Sequence, residues 1–128
     1  HIAYYGHKAS IHTGLTVMET IEYWKAYYSS DANTSELIKF WDLPNKTVES
    51  CSEGQQKRLA LVRLSLMNRN IWILDEPTTN LDFVGKKKFL ELHTSHLRAG
   101  GLSIITSHEP AQVKGHKIIN LERHSGKN

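Results

Sequence analysis

Apolar residues fall into two rhythms along this chain. Ile2-Ala3-Tyr4-Tyr5, Ile71-Trp72-Ile73-Leu74 and the run from Ser103 to Thr106 read as short strands, with a final strand from Lys117 to Leu121. Near-continuous apolar runs of this length suit the buried strands of a parallel sheet. Between them, apolar positions return at helical spacing: Ile21, Trp24 and Tyr28 in one segment, then Leu59, Val62 and Leu66 in another. Thr16 and Glu19 have the spacing of a capping box, which predicts a helix from there to about Tyr28. A second helix is expected from Ser35 to Trp41, before Pro44 and Asn45 break the pattern. Ser52 can cap a third helix through Met67, Phe83 to Arg98 reads as a fourth, and a short helix follows near Glu109. The fold class is therefore α/β with a mostly parallel sheet, interrupted by an all-helical stretch.

The chemistry starts where the second strand ends. Its apolar run stops abruptly at Asp75-Glu76-Pro77, which places two carboxylates at the carboxyl edge of a parallel sheet. Open α/β sheets bind their ligands at that edge. In a nucleotide hydrolase the first acid can hold Mg²⁺ and the second can act on the attacking water. Other motifs keep it company: Cys51-Ser52-Glu53-Gly54-Gln55-Gln56 upstream, Asn80-Leu81-Asp82 just after, and Ile104-Ile105-Thr106-Ser107-His108 beyond.

This ordered set resembles the ATP-binding subunit of ABC transporters. Ser52-Glu53-Gly54-Gln55 looks like the family signature, with Cys51 where Leu is usual and Glu53 where the first Gly is usual. Ile71 to Glu76 resembles Walker B with the catalytic Glu, Asn80 to Asp82 resembles the D-loop, and His108 resembles the switch His. The resemblance implies a partial RecA-like P-loop NTPase core with an inserted helical subdomain. Residues 1–15 would carry a core strand and the Q-loop region, 16–46 the helical subdomain, and 47–128 the rest of the core.

It also implies roles. Asp75 would hold Mg²⁺ and Glu76 would be the general base or water-positioning group, with His108 reaching the γ-phosphate of ATP. Ser52, Gly54 and Gln55 would cap the γ-phosphate bound by a second, head-to-tail protomer, and Asp82 would couple the two protomers. Where the family usually carries a Gln, this chain has His7, within Tyr5-Gly6-His7-Lys8. The helical part would dock on transmembrane subunits, leaving the protein peripheral at the cytoplasmic face of the inner membrane. The runs Leu15-Thr16, Gly54-Gln55-Gln56-Lys57-Arg58 and Trp72 to Pro77 look most like the haem exporter of cytochrome c maturation, in which ATP turnover drives release of a haem-loaded chaperone. An ABC subunit for another substrate and a non-catalytic ABC fragment are the alternative readings.

Composition adds limits. With 128 residues, 39% of them hydrophobic, one core is the default. The formal charge of +3 is mild, and the one basic run, Lys86-Lys87-Lys88, fits a solvated helix face better than a nucleic-acid surface. A single Cys excludes an internal disulfide and suits a reducing compartment. No run approaches the roughly 20 apolar residues of a membrane span. His12, His93, His96 and His116 read as surface histidines rather than ligands. No Gly-x-x-x-x-Gly-Lys-[Ser/Thr] loop occurs; Ser125-Gly126-Lys127-Asn128 lacks the first Gly and the helix that should follow. Because the family places that loop upstream of everything seen here, an N-terminally truncated segment is expected, with weak ATP binding of its own.

Overall fold

Capping side chains set where the helices start. In the computed structural model, which describes residues 2–5 and 14–107, Thr16 opens helix α1 (Val17–Tyr28) with the full capping box. Glu19 N–H donates to Thr16 Oγ1 at 3.0 Å, and Thr16 N–H donates to Glu19 Oε1 at 2.9 Å. Asn33 caps α2 (Thr34–Trp41), one residue earlier than the sequence suggested. Ser52 caps α3 (Glu53–Leu66) and Asp82 caps α4 (Phe83–Arg98). A 3₁₀ turn over Val48–Ser50, which the hydrophobic pattern does not announce, leads into α3. The expected elements near Glu109 and from Lys117 to Leu121 lie outside the described residues.

Strands β1 (Ile2–Tyr5), β2 (Ile71–Asp75) and β3 (Leu102–Thr106) form a parallel sheet in the order β1-β2-β3. The register aligns Tyr5 with Leu74 on one side, and Leu74 with Ile105 and Asp75 with Thr106 on the other. One face carries Ala3, Tyr5, Trp72 and Leu74, all buried, with α3 packed against β1 and α4 against β3. The opposite face is open among the described residues. Tyr4, Leu102 and Ile104 are 59%, 64% and 59% exposed there. Parallel sheets normally have both faces covered, and the described residues cover only one face of this sheet.

Helices α1 and α2 lie on the far side of α3 from the sheet. The chain enters and leaves this pair side by side: Val17 N–H donates to Lys46 O at 3.0 Å and Val48 N–H to Leu15 O at 2.8 Å. Ile21, Trp24, Trp41 and Val48 pack inward and join the sheet residues in one apolar cluster. Sandwiched between two layers, α3 buries Leu59, Ala60, Leu61, Val62, Leu64 and Leu66, more than a single stripe.

Two histidines depart from the surface reading. His93 is 3% exposed and sits between the rings of Trp72 and Phe89, at centroid distances of 6.4 Å and 5.7 Å. His96 is half-buried and stacks flat on Trp72 at 3.7 Å. Gly85, Phe89 and His93 share the buried stripe of α4, so His93 is a core residue. Lys88 likewise leaves the solvated face, its ammonium 4.5 Å from the Phe40 ring of α2.

Burial first, and the neighbouring His96 second, hold His93 below the usual imidazole range. The unfolded chain takes up that proton near pH 6.5 and the folded chain does not. Stability should therefore be full above about pH 6.5 and fall as the pH drops below it. Thermal melts at pH 7.5 and 5.5 should show a lower midpoint in acid, with a smaller difference in His93→Phe. Equal acid sensitivity in both chains would remove His93 as the cause.

Candidate active site

Asp75 is the last residue of β2, and its half-buried carboxylate is oriented by the next strand. Thr106 Oγ1 donates to Asp75 Oδ1 at 2.6 Å. Glu76 then turns off the strand axis with φ 47, a left-handed conformation, while its N–H donates to Thr106 O at 2.9 Å. β2 thus runs one residue past the apolar stretch Ile71–Leu74 and stops at the turn. Pro77 is fully buried behind the turn.

The signature-like segment meets the turn that follows this strand end. Ser52 Oγ accepts from Gln55 N–H at 3.1 Å, and Gln55 Oε1 accepts from Ser52 N–H at 2.8 Å. Ser52 is therefore a helix cap, as the sequence suggested, and Gln55 completes a box that the sequence reading passed over. Asn80, itself left-handed at φ 66, donates from Nδ2 to Glu53 Oε2 at 3.3 Å. That contact takes up the acid that stands where a signature Gly is usual. A Cβ on Gly54 would meet only Asn80 O, at 3.9 Å, so the chain itself leaves room there.

Asp82 is used within its own chain. Its Oδ1 accepts from Gly85 N–H at 2.7 Å, capping α4, and its Oδ2 lies 3.4 Å from Arg58 Nη1. The buried Arg58 also donates from Nη2 to Asp42 O at 3.2 Å, tying the end of α2 to the start of α4. The sequence alone does not mark Arg58, whose partners arrive from the end of α2 and the turn before α4. His7 and His108 lie outside the described residues. The structure therefore brings the start of α3, with Glu53 and Gly54, beside the Asn80 turn that follows Asp75 and Glu76, while Asp82 caps the next helix.

Residues 1–79 match the family model described as ABC transporter. The chain belongs to the ABC transporter family. It is similar to the cytochrome c biogenesis ATP-binding export protein CcmA of Rhodobacter capsulatus, 32% identical over 122 residues, covering 94% of this chain and 57% of that protein. The protein of the same name in Escherichia coli strain K12 is 34% identical over 125 residues, 91% of this chain and 57% of that protein. The chain thus spans a little over half the length of these relatives. Among solved structures, it resembles the ATP-binding cassette MJ0796 in a dimeric post-hydrolysis state bound to ADP and Pi, at TM-score 0.68 and 24% identity over 84% of this chain and 52% of that one. A putative ABC transporter ATP-binding protein from Pyrococcus furiosus gives TM-score 0.69 at 21% identity, over 87% of this chain and 58% of that one. Those two likenesses establish the fold, a RecA-like ABC cassette with its parallel sheet and helices.

Proposed function

We propose that the chain carries one part of the ATP-hydrolysing site of an ABC transporter's ATP-binding subunit, and that the whole protein powers haem export or release of a haem-loaded chaperone in cytochrome c maturation. One observation supports the reading: the Asp75-Glu76 strand end runs into the Asn80–Asp82 turn, and Glu53 at the start of α3 bonds to that turn. The cytochrome c assignment rests on the CcmA relatives.

Asp75 is the Mg²⁺ ligand in this account. Its donor set suits a hard cation: a carboxylate held by a hydroxyl, with no group of three or more acidic, His or Cys ligands among the described residues. Such a site leaves most positions to water and phosphate oxygens, as Mg²⁺ prefers. When bound, Mg²⁺ neutralises charge on the β- and γ-phosphates. Glu76 accepts the proton of the attacking water, and the family resemblance assigns His108 to the γ-phosphate and His7 to the place of the family's Gln.

The signature edge works in trans. Ser52 presents its hydroxyl and the free N–H groups of α3 to the γ-phosphate held by a second protomer, with Gln55 fixing the cap. The space beside Gly54 admits that phosphate. Asp82, already bonded in cis, sets the turn that meets the second copy. Residues 16–46 act as the helical subdomain, whose α1 exposes Met18, Tyr23 and Tyr27 for the transmembrane subunits. No helix of the described residues is long and apolar enough to cross a membrane.

Expression of the complete protein in Escherichia coli cells lacking CcmA tests the assignment, with haem covalently bound to c-type cytochromes as the readout. Restoration by the parent and not by Glu76→Gln is expected. A well-expressed parent that hydrolyses ATP but restores no cytochrome would assign it to another substrate.

A further inference from the structure

We propose that Thr106 is a positioning residue that makes Asp75 a one-oxygen ligand, biasing the site toward a small six-coordinate cation such as Mg²⁺ and against Ca²⁺. The inference rests on the reading of Asp75 as the cation ligand.

Geometry carries the argument. Asp75 ends β2, Thr106 ends β3, and the two are partners in the parallel register. Ile73 and Ile104 are partners two residues earlier, so alternation puts Asp75 and Thr106 on the same, open face of the sheet. Thr106 Oγ1 donates to Asp75 Oδ1 at 2.6 Å, the range of a hydroxyl bonded to a charged carboxylate. The carbonyl of the same residue accepts from Glu76 N–H at 2.9 Å. One residue of β3 thus holds both strand-end acids, Asp75 by its side chain and Glu76 by its main chain.

A hydroxyl rotates to whatever acceptor is near, and many such bonds satisfy only the hydroxyl. Here the acceptor is an oxygen of the acid assigned to a cation. An oxygen that already accepts a short bond from a hydroxyl is a poorer metal ligand, which leaves Oδ2 as the oxygen that Asp75 offers. Mg²⁺ demands near-ideal octahedral geometry at short distances, which the narrow bite of a single carboxylate does not fit. Ca²⁺ is larger, and it takes carboxylates through one oxygen or both. Holding Oδ1 back therefore costs Ca²⁺ more than it costs Mg²⁺.

The test uses the complete protein carrying Glu76→Gln, in which ATP stays intact, and reads the ATP dissociation constant by calorimetry in saturating Mg²⁺ and in saturating Ca²⁺. The ratio of the two constants reports the cation's coordination, because a general loosening of the fold would move both alike. Thr106→Val nearly keeps the shape, keeps the carbonyl that holds Glu76 and removes the hydroxyl. It should lower the preference for Mg²⁺ over Ca²⁺ roughly fivefold, the scale of one hydrogen bond to a charged group. Thr106→Ser retains the hydroxyl and should match the parent. A parent with no preference, a Thr106→Val ratio equal to the parent's, or a Thr106→Ser ratio that shifts with it overturns the positioning role. Asp75→Asn separates the two ideas, since it should erase the preference. If the preference survives that change, the cation sits elsewhere and the reading of Asp75 fails on its own.

Discussion

Glu76→Gln is expected to lower ATP turnover of the complete protein by roughly 10²–10⁴-fold, the usual contribution of a positioned general base. Nucleotide affinity should change little. Gln has the same shape, and the backbone contact that fixes the residue, Glu76 N–H to Thr106 O at 2.9 Å, does not involve the side chain. The left-handed φ of 47 at this position is no harder for Gln than for Glu. What is lost is the ability to accept a proton from water. Turnover and nucleotide binding, measured on the same preparation, check this. Turnover within about threefold of the parent would move the base to another residue, whereas loss of binding would make Glu76 part of the nucleotide pocket itself.

Trp72→Ala should be the most damaging single change to the fold, costing about 3–5 kcal/mol, as for other buried aromatic truncations. Trp72 is 4% exposed in the middle of the central strand. Its removal would take away the platform on which His96 stacks at 3.7 Å and open space beside His93. Denaturant unfolding of the variant measures the loss. A cost below about 1 kcal/mol would mean that α4 collapses onto the sheet and fills the gap. The same variant should lose part of its acid sensitivity, because His93 would then reach water.

Much of this architecture was legible because local signals agreed with tertiary demand. The capping box at Thr16 and the helix over Phe83–Arg98 stood in the sequence as they stand in the structure. The apolar run into Asp75 marked a central strand. Other features depend on neighbours that a linear pattern does not reveal. Leu61 and Leu64 are buried only because α3 is covered from both sides, and His93 is buried because Trp72 and Phe89 close around it. The stop of β2 at Asp75 follows from a backbone turn at Glu76 fixed by β3, a strand about thirty residues downstream. The pairing of Glu53 with Asn80 and of Arg58 with Asp82 likewise needed the sheet to bring α3 beside the turn after β2.

The central claim is that the Ser52 edge of one copy closes over nucleotide held at the Asp75-Glu76 edge of another. Sedimentation of the complete protein carrying Glu76→Gln, with MgATP and then with MgADP, tests it most directly, because blocked hydrolysis should trap the closed pair. A dimer with MgATP and a monomer with MgADP is the predicted result, and adding Ser52→Arg should prevent the dimer. A monomer under both conditions, in protein shown to bind ATP, would contradict the shared site.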